Sequence, residues 1–174
     1  LQIDLSLRKR DPKSPLEEIQ QETILLVDQW CTDYEAQIRQ MGGIGFFLGG
    51  IGPDGHIAFN VRGSDHNSTT RLTATNFETQ ATAATDLGGI EISRNRLVIT
   101  IGLSTITYNS EATALIIAAG DAKAKIVQAS LEHQPDIHYP ATVLQQLKGS
   151  RFYLTTGAAA CLQDVINQKH HQGS

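Results

Sequence analysis

The feature that most constrains this chain is the short, almost wholly apolar run Ile44-Gly45-Phe46-Phe47-Leu48, set between glycines directly after a long segment of helical periodicity. An apolar run of that length, without polar alternation, is the pattern of a strand covered on both faces of a parallel sheet. In residues 15–41, Ile19, Ile24, Leu25, Val27, Trp30, Tyr34 and Ile38 recur at helical spacing, and Gly42-Gly43 ends the run. The opening unit is therefore a helix followed by a buried strand, and the strand is expected to be central and parallel.

The same alternation continues along the chain. Residues 97–101 and 112–119 read as two more core strands. Gly120 ends the second, and Asp121 is placed to cap a helix over 122–131. A short helix opened by Pro140 covers 140–147, a strand covers 151–155, and the Ala-rich segment 157–166 closes the chain as a helix. Strand and helix in alternation predict an α/β fold, an open and mainly parallel sheet with helices on both faces. At 174 residues the chain is one domain, 1–174, with 1–14 and 168–174 expected as flexible ends. The Thr-rich stretch 62–86 shows no clear period and is expected to include a loop that orders over a ligand.

Composition matters chiefly for what it excludes. Net charge is −4, and the one basic run, Arg8-Lys9-Arg10, is followed by Asp11 rather than by interleaved aromatics, which argues against nucleic-acid binding. No stretch approaches the roughly 18 apolar residues of a membrane span. Cys31 and Cys161 stand far apart, in neither a Cys-x-x-Cys pair nor a Cys/His cluster, so no metal site is expected. Two free thiols suit a reducing compartment, and the expected location is cytoplasmic.

In parallel α/β sheets, ligands bind beyond the carboxyl ends of the strands, where loops and helix N-termini converge. The segment in that place is Gly49-Gly50-Ile51-Gly52-Pro53-Asp54-Gly55-His56-Ile57-Ala58-Phe59-Asn60. Its glycines let backbone amides approach a ligand, and Asp54 and His56 pair a charged orienting group with a general acid/base. The plainer reading stands beside this one: Gly-Pro-Asp-Gly is also a good turn, in which the Asp bonds its own backbone. Gly50-x-Gly52-x-x-Gly55 matches a dinucleotide fingerprint in spacing alone. Pro53 and Asp54 sit where that fingerprint opens its helix, and no acidic residue about twenty positions on ends a second strand.

Taken whole, the run from Leu48 to Asn60 resembles the signature of the glucosamine-6-phosphate deaminase/isomerase family. Cys31-x-x-Tyr34-Glu35-x-x-Ile38, Leu97-x-Ile99-x-x-Gly102, Gly120-x-x-Lys123-Ala124 and Pro140-Ala141-Thr142-x-Leu144-Gln145 extend the resemblance over about residues 17 to 163. The related 6-phosphogluconolactonases share the Asp-Gly-His core, but Ile57-Ala58-Phe59-Asn60 sides with the deaminases. The resemblance implies a modified doubly wound, Rossmann-like fold of the deaminase/lactonase type. It implies an isomerisation that releases ammonia from a hexosamine 6-phosphate and gives fructose 6-phosphate, with no metal or organic cofactor. His56 would move a proton at the ring oxygen and Asp54 would hold and polarise it. Gly50, Gly52, Ala58 and Lys123 would bind substrate and its phosphate, and Arg71 would meet an effector or a neighbouring subunit.

The sequence also departs from the family. Val61-Arg62 stands where the family has Glu-Pro, so the glutamate of the ring-opening relay is missing, and valine can neither accept nor orient a proton. A family arginine for the phosphate should fall near Thr85, with only Arg94 and Arg96 in the vicinity. The family's first strand-loop-helix units, which carry the base for the proton next to the carbonyl, have no counterpart before Leu1. The chain therefore reads as part of a longer domain, inactive alone, which would self-associate or pair with the missing part. Two alternatives follow: a catalytically degenerate sugar-phosphate-binding or regulatory module, and a 6-phosphogluconolactonase-like hydrolase.

Overall fold

The computed structural model describes residues 3–75 and 97–163. Helix α1 spans Pro15–Gln40, opened by Ser14, whose hydroxyl accepts from the Glu17 amide, with proline in the first turn and Glu17 and Glu18 against the helix dipole. It ends where Gly42 and Gly43 take positive φ, and the Gly43 amide returns to the Ile38 carbonyl at 2.9 Å. The buried stripe is Ile24, Cys31, Glu35 and Ile38. Ile19, Leu25, Trp30 and Tyr34, expected on the core side, are exposed instead, with Trp30 stacked on Tyr34 at 5.2 Å. Residues 5–8, within the stretch expected to be a flexible end, form a 3-10 turn against α1: Leu7 is fully buried, and Arg8 makes a two-pronged ion pair with Asp28 at 2.6 Å.

Strand β1 is Phe46–Gly50, β2 Arg71–Ala74 and β3 Leu97–Thr100; helix α2 is Leu103–Thr107; strand β4 is Thr113–Ala118; helix α3 is Ala124–Glu132; strand β5 is Arg151–Leu154. The main sheet runs β1-β4-β5, all parallel, so β4 and not β1 is central. β3 was expected in that sheet. It pairs instead with β2, antiparallel, in a separate two-stranded ribbon. β2 falls in the stretch without a clear period, because four residues are too short for alternation to show.

The core lies on one face of the main sheet, where Ala114 and Ile116 of β4 meet Leu103 and Ile106 of α2, Val127 of α3, and Val143 and Leu144 of a 3-10 helix over Pro140–Gln146. The other face is open among the described residues: Phe46, Leu48, Ile117 and Tyr153 are all more than half exposed. The α/β fold with a parallel sheet and flanking helices is as expected; among the described residues the helices packed on the main sheet lie on one face, and β1 is not buried on both.

Two helix expectations also change. Asp121 does not cap: it begins a 3-10 turn, Asp121–Lys123, whose own cap is Gly120, and α3 starts at Ala124. Residues 157–161 are turns rather than the start of a helix, and residues 164–166 of the expected closing helix, with the end at 168–174, lie outside the described residues.

Candidate active site

The carboxyl ends of β1 and β4 lead into two loops that meet. From β1 comes the loop 51–60, and from β4 the turn carrying Lys123. Lys123 donates its Nζ proton to the Ile51 carbonyl at 2.7 Å, stapling one loop to the other. Burial pushes the Lys123 ammonium below its ordinary range, and the nearby Asp54 carboxylate opposes that shift.

Within the loop, His56 Nδ1 and Asp54 Oδ1 are 2.5 Å apart, with both side chains largely shielded from solvent. The second Asp54 oxygen accepts from the Arg62 amide at 3.4 Å, so the carboxylate serves the imidazole and the backbone at once. The bond at Nδ1 fixes the orientation of the ring against the Asp54 carboxylate. The backbone is folded tightly round it: the Gly52 amide donates to the His56 carbonyl at 3.0 Å, and Gly55 takes φ +81°. Ala58 has φ +51°, a left-handed conformation costly for a residue with a β-carbon.

The glycines differ in what they are for. A β-carbon on Gly52 would overlap the His56 ring, whereas one on Gly50 would meet only the Ile117 carbonyl at 3.7 Å, an ordinary contact. Only Gly52 is required by close packing against the dyad.

The loop is held from outside as well. The Ala141 amide donates to the Gly55 carbonyl at 3.0 Å, and the Gly63 amide to the Ile137 carbonyl at 2.8 Å. The Arg62 guanidinium lies 5.8 Å from the centre of the Tyr139 ring. Fully buried Asn60 donates to the Ile57 and Ile101 carbonyls and accepts from Arg71 at 2.8 Å. Arg71, on β2, also reaches the Thr69 carbonyl and the Ser64 hydroxyl, and it lines a groove with Arg62, Asn67 and Ser68.

The structure thus brings Gly52, Asp54, His56 and Lys123 together and places Arg71 at the far end of the same loop, behind Asn60. Asn60, Tyr139 and Ile137 were not singled out from sequence. A polar residue closing an apolar run was the available signal for Asn60, and the carbonyl of Ile137 left none. Val61 provides no carboxylate beside the dyad. Position 85 and Arg94 and Arg96 lie outside the described residues. Among the described residues, no cluster of three His, Cys, Asp or Glu side chains could hold a metal, and no helix is long and apolar enough to cross a membrane.

No protein-family model matches the chain. Among curated proteins, glucosamine-6-phosphate isomerase of Candida albicans is 37% identical over 120 residues, 68% of this chain and 48% of that protein. Glucosamine-6-phosphate deaminase 1 of Giardia intestinalis is 30% identical over 144 residues, 83% of this chain and 53% of that protein. Among solved structures, a monomeric glucosamine-6-phosphate deaminase of the NagB superfamily superposes with a TM-score of 0.67 at 25% identity, over 86% of this chain and 56% of that one. The chain spans about half the length of the curated relatives it matches.

Proposed function

We propose a function on the premise that this chain shares the sequence and fold of the glucosamine-6-phosphate deaminase/isomerase family over about half of a family member's length. In the complete protein the loop 51–60 and Lys123 form a site for a hexosamine 6-phosphate, converted to fructose 6-phosphate with release of ammonia. The observation that carries this reading is the 2.5 Å bond between Asp54 and His56 in a loop closed by Lys123.

Opening a pyranose ring requires a proton to reach the ring oxygen as another leaves the anomeric hydroxyl, and an imidazole oriented by a carboxylate is a group that can carry both transfers. Asp54 supports the charge on the ring as it forms. Lys123, at the start of α3, supplies a cation for the phosphate at the positive end of the helix dipole. The proton next to the open-chain carbonyl needs a base, which the rest of the protein would supply. This reading calls for no metal or organic cofactor and suits a cytoplasmic enzyme.

A second reading is favoured by two observations. Valine occupies position 61, and the Lys123 ammonium is engaged by the Ile51 carbonyl. Both suit a module that holds a sugar phosphate without turning it over. The deciding experiment measures ammonia and fructose 6-phosphate from glucosamine 6-phosphate with the complete protein, beside calorimetry with hexose phosphates. Turnover that falls by about two to four orders of magnitude in His56→Ala supports the enzyme. Binding without product supports the module, and neither binding nor product overturns both.

A further inference from the structure

We propose that Glu35, the buried carboxylate of α1, is a positioning residue of the candidate site: it holds the two strands of the β2–β3 ribbon at the spacing that lets them grip Asn60, and so fixes the end of the 51–60 loop.

Glu35 sits in the packed stripe of α1 with Ile24, Cys31 and Ile38, where another apolar residue would have completed the core. A carboxylate stands there instead, in a residue 7% exposed. Burying a charge is costly unless donors meet it. Among the described residues three do. Oε2 accepts from the Thr70 amide at 3.2 Å and from the Thr105 hydroxyl at 2.8 Å, both in buried residues. Oε1 accepts from Arg39 Nε at 3.3 Å, nearer the surface.

The two interior donors belong to the two arms that hold Asn60. Thr70 directly precedes Arg71, whose guanidinium donates to the Asn60 side-chain oxygen at 2.8 Å. Thr105 lies in α2, just beyond Ile101, whose carbonyl accepts from the Asn60 side-chain nitrogen at 2.8 Å. One arm comes from β2 and the other from the end of β3, and a single Glu35 oxygen ties the base of both. Phe59 adds to the second arm, because its amide donates to the Thr100 hydroxyl at 3.1 Å.

The Asn60 amide is planar and of fixed length, so it can meet Arg71 and Ile101 together only while the arms keep their separation. The arms pack closely where Glu35 reaches them. The Ser104 amide donates to the Ser68 carbonyl at 2.9 Å, and a β-carbon on Gly102 would overlap that carbonyl. Removing the carboxylate leaves the Thr70 amide and the Thr105 hydroxyl buried without their acceptor, and any rearrangement that satisfies them again has to run through this junction. What the positioning serves rests on the reading of the 51–60 loop as a sugar-phosphate site. The geometry of the grip does not.

The test compares three variants of the complete protein. Glu35→Gln keeps one oxygen for both interior donors and gives up only the bond to Arg39. Glu35→Leu removes all three bonds, and Thr105→Val removes one arm's bond at nearly constant shape. NMR follows the side-chain amide signals of Asn60 without substrate, beside thermal unfolding. These signals are expected to move in Glu35→Leu and Thr105→Val and to stay in place in Glu35→Gln. KM for glucosamine 6-phosphate should rise about tenfold in the first two and stay near wild type in the third. Ile24→Val, a smaller side chain in the same packed stripe, is the control: it lowers Tm and leaves Asn60 unmoved. If Glu35→Leu does not fold, the two near-isosteric variants carry the test. Asn60 signals unmoved in Thr105→Val overturn the proposal. So do signals that move as far in Ile24→Val, which would mark a general loosening of α1, and so does an unchanged KM where the signals have moved. A wild-type protein without turnover sinks the deaminase reading alone, because the Asn60 signals still decide the place of Glu35.

Discussion

The α-carbon of Gly52 lies against the His56 imidazole so closely that a β-carbon there would overlap the ring. The ring cannot swing aside without leaving Asp54, because its Nδ1 is the atom bonded to that carboxylate. Gly52→Ala is therefore expected to break the dyad while leaving both partners in the chain. The overpacking costs about 1–3 kcal/mol, taken up by the loop rather than by the core. The check is the imidazole proton and nitrogen spectrum by NMR. Wild-type His56 signals in the variant would show that the ring has room after all.

Lys123 joins the two loops through the Ile51 carbonyl, so Lys123→Met should release the 51–60 loop and remove the cation proposed for a phosphate together. A charge-assisted bond contributes about 1.5–3 kcal/mol, and hexose-phosphate affinity should fall by about tenfold or more. Burial lowers the Lys123 pKa from its usual 10.5. Only the protonated form attracts an anion, so affinity is lost as pH rises through that lowered value, earlier than a surface lysine would lose it. Calorimetry from neutral to alkaline pH tests this, and a flat profile would refute it.

The loop was more legible in sequence than the sheet around it. Asp54 and His56 could be picked out as candidates because the loop's glycines and its acid/base pair are local features, whereas Lys123, distant in sequence, was named through the family resemblance. The place of β1 could not be read. Phe46, Leu48 and Ile117 are as apolar as core residues yet more than half exposed, and nothing local marks which side of a strand packs. The β2–β3 ribbon was hidden for a different reason: its pairing spans the long, polar segment between Ala74 and Leu97, and β3 by itself looks like any other core strand. Arg71 was legible as a cation, but its bond to Asn60 depends on that ribbon.

The turn ahead of α1 is tied down by acids. Asp4 and Glu17 both bond Arg10, at 2.7 and 2.8 Å, and the Arg10 guanidinium holds each carboxyl down to about 2, from 3.8 and 4.5 respectively. Carboxyls depressed in the fold favour it above their unfolded pKa values, and that support disappears as pH falls toward about 2. Residues 3–14 should therefore loosen from α1 between about pH 4.5 and pH 2, ahead of the core. Amide exchange of residues 5–10 across that range is the measurement. Retained protection at the acid end would mean that buried Leu7, rather than the carboxylates, holds the turn.

Asn60 and Arg71 allow the last prediction to separate a structural role from a ligand-facing one. Asn60→Ala removes two donated bonds and the acceptor for Arg71, all in a fully buried position, at a cost of about 2–4 kcal/mol. For a domain of this size that lowers Tm by roughly 5–12 °C. Arg71→Met leaves the amide's two donated bonds in place, so its cost should be smaller, about 1–2 kcal/mol. Thermal unfolding of the two variants gives the order. If Arg71→Met leaves Tm unchanged while altering the response to an anionic ligand, Arg71 serves the groove it lines with Arg62 and Ser68 rather than the loop. If it lowers Tm with ligand response intact, its place is behind Asn60, keeping the end of the 51–60 loop in register with β3.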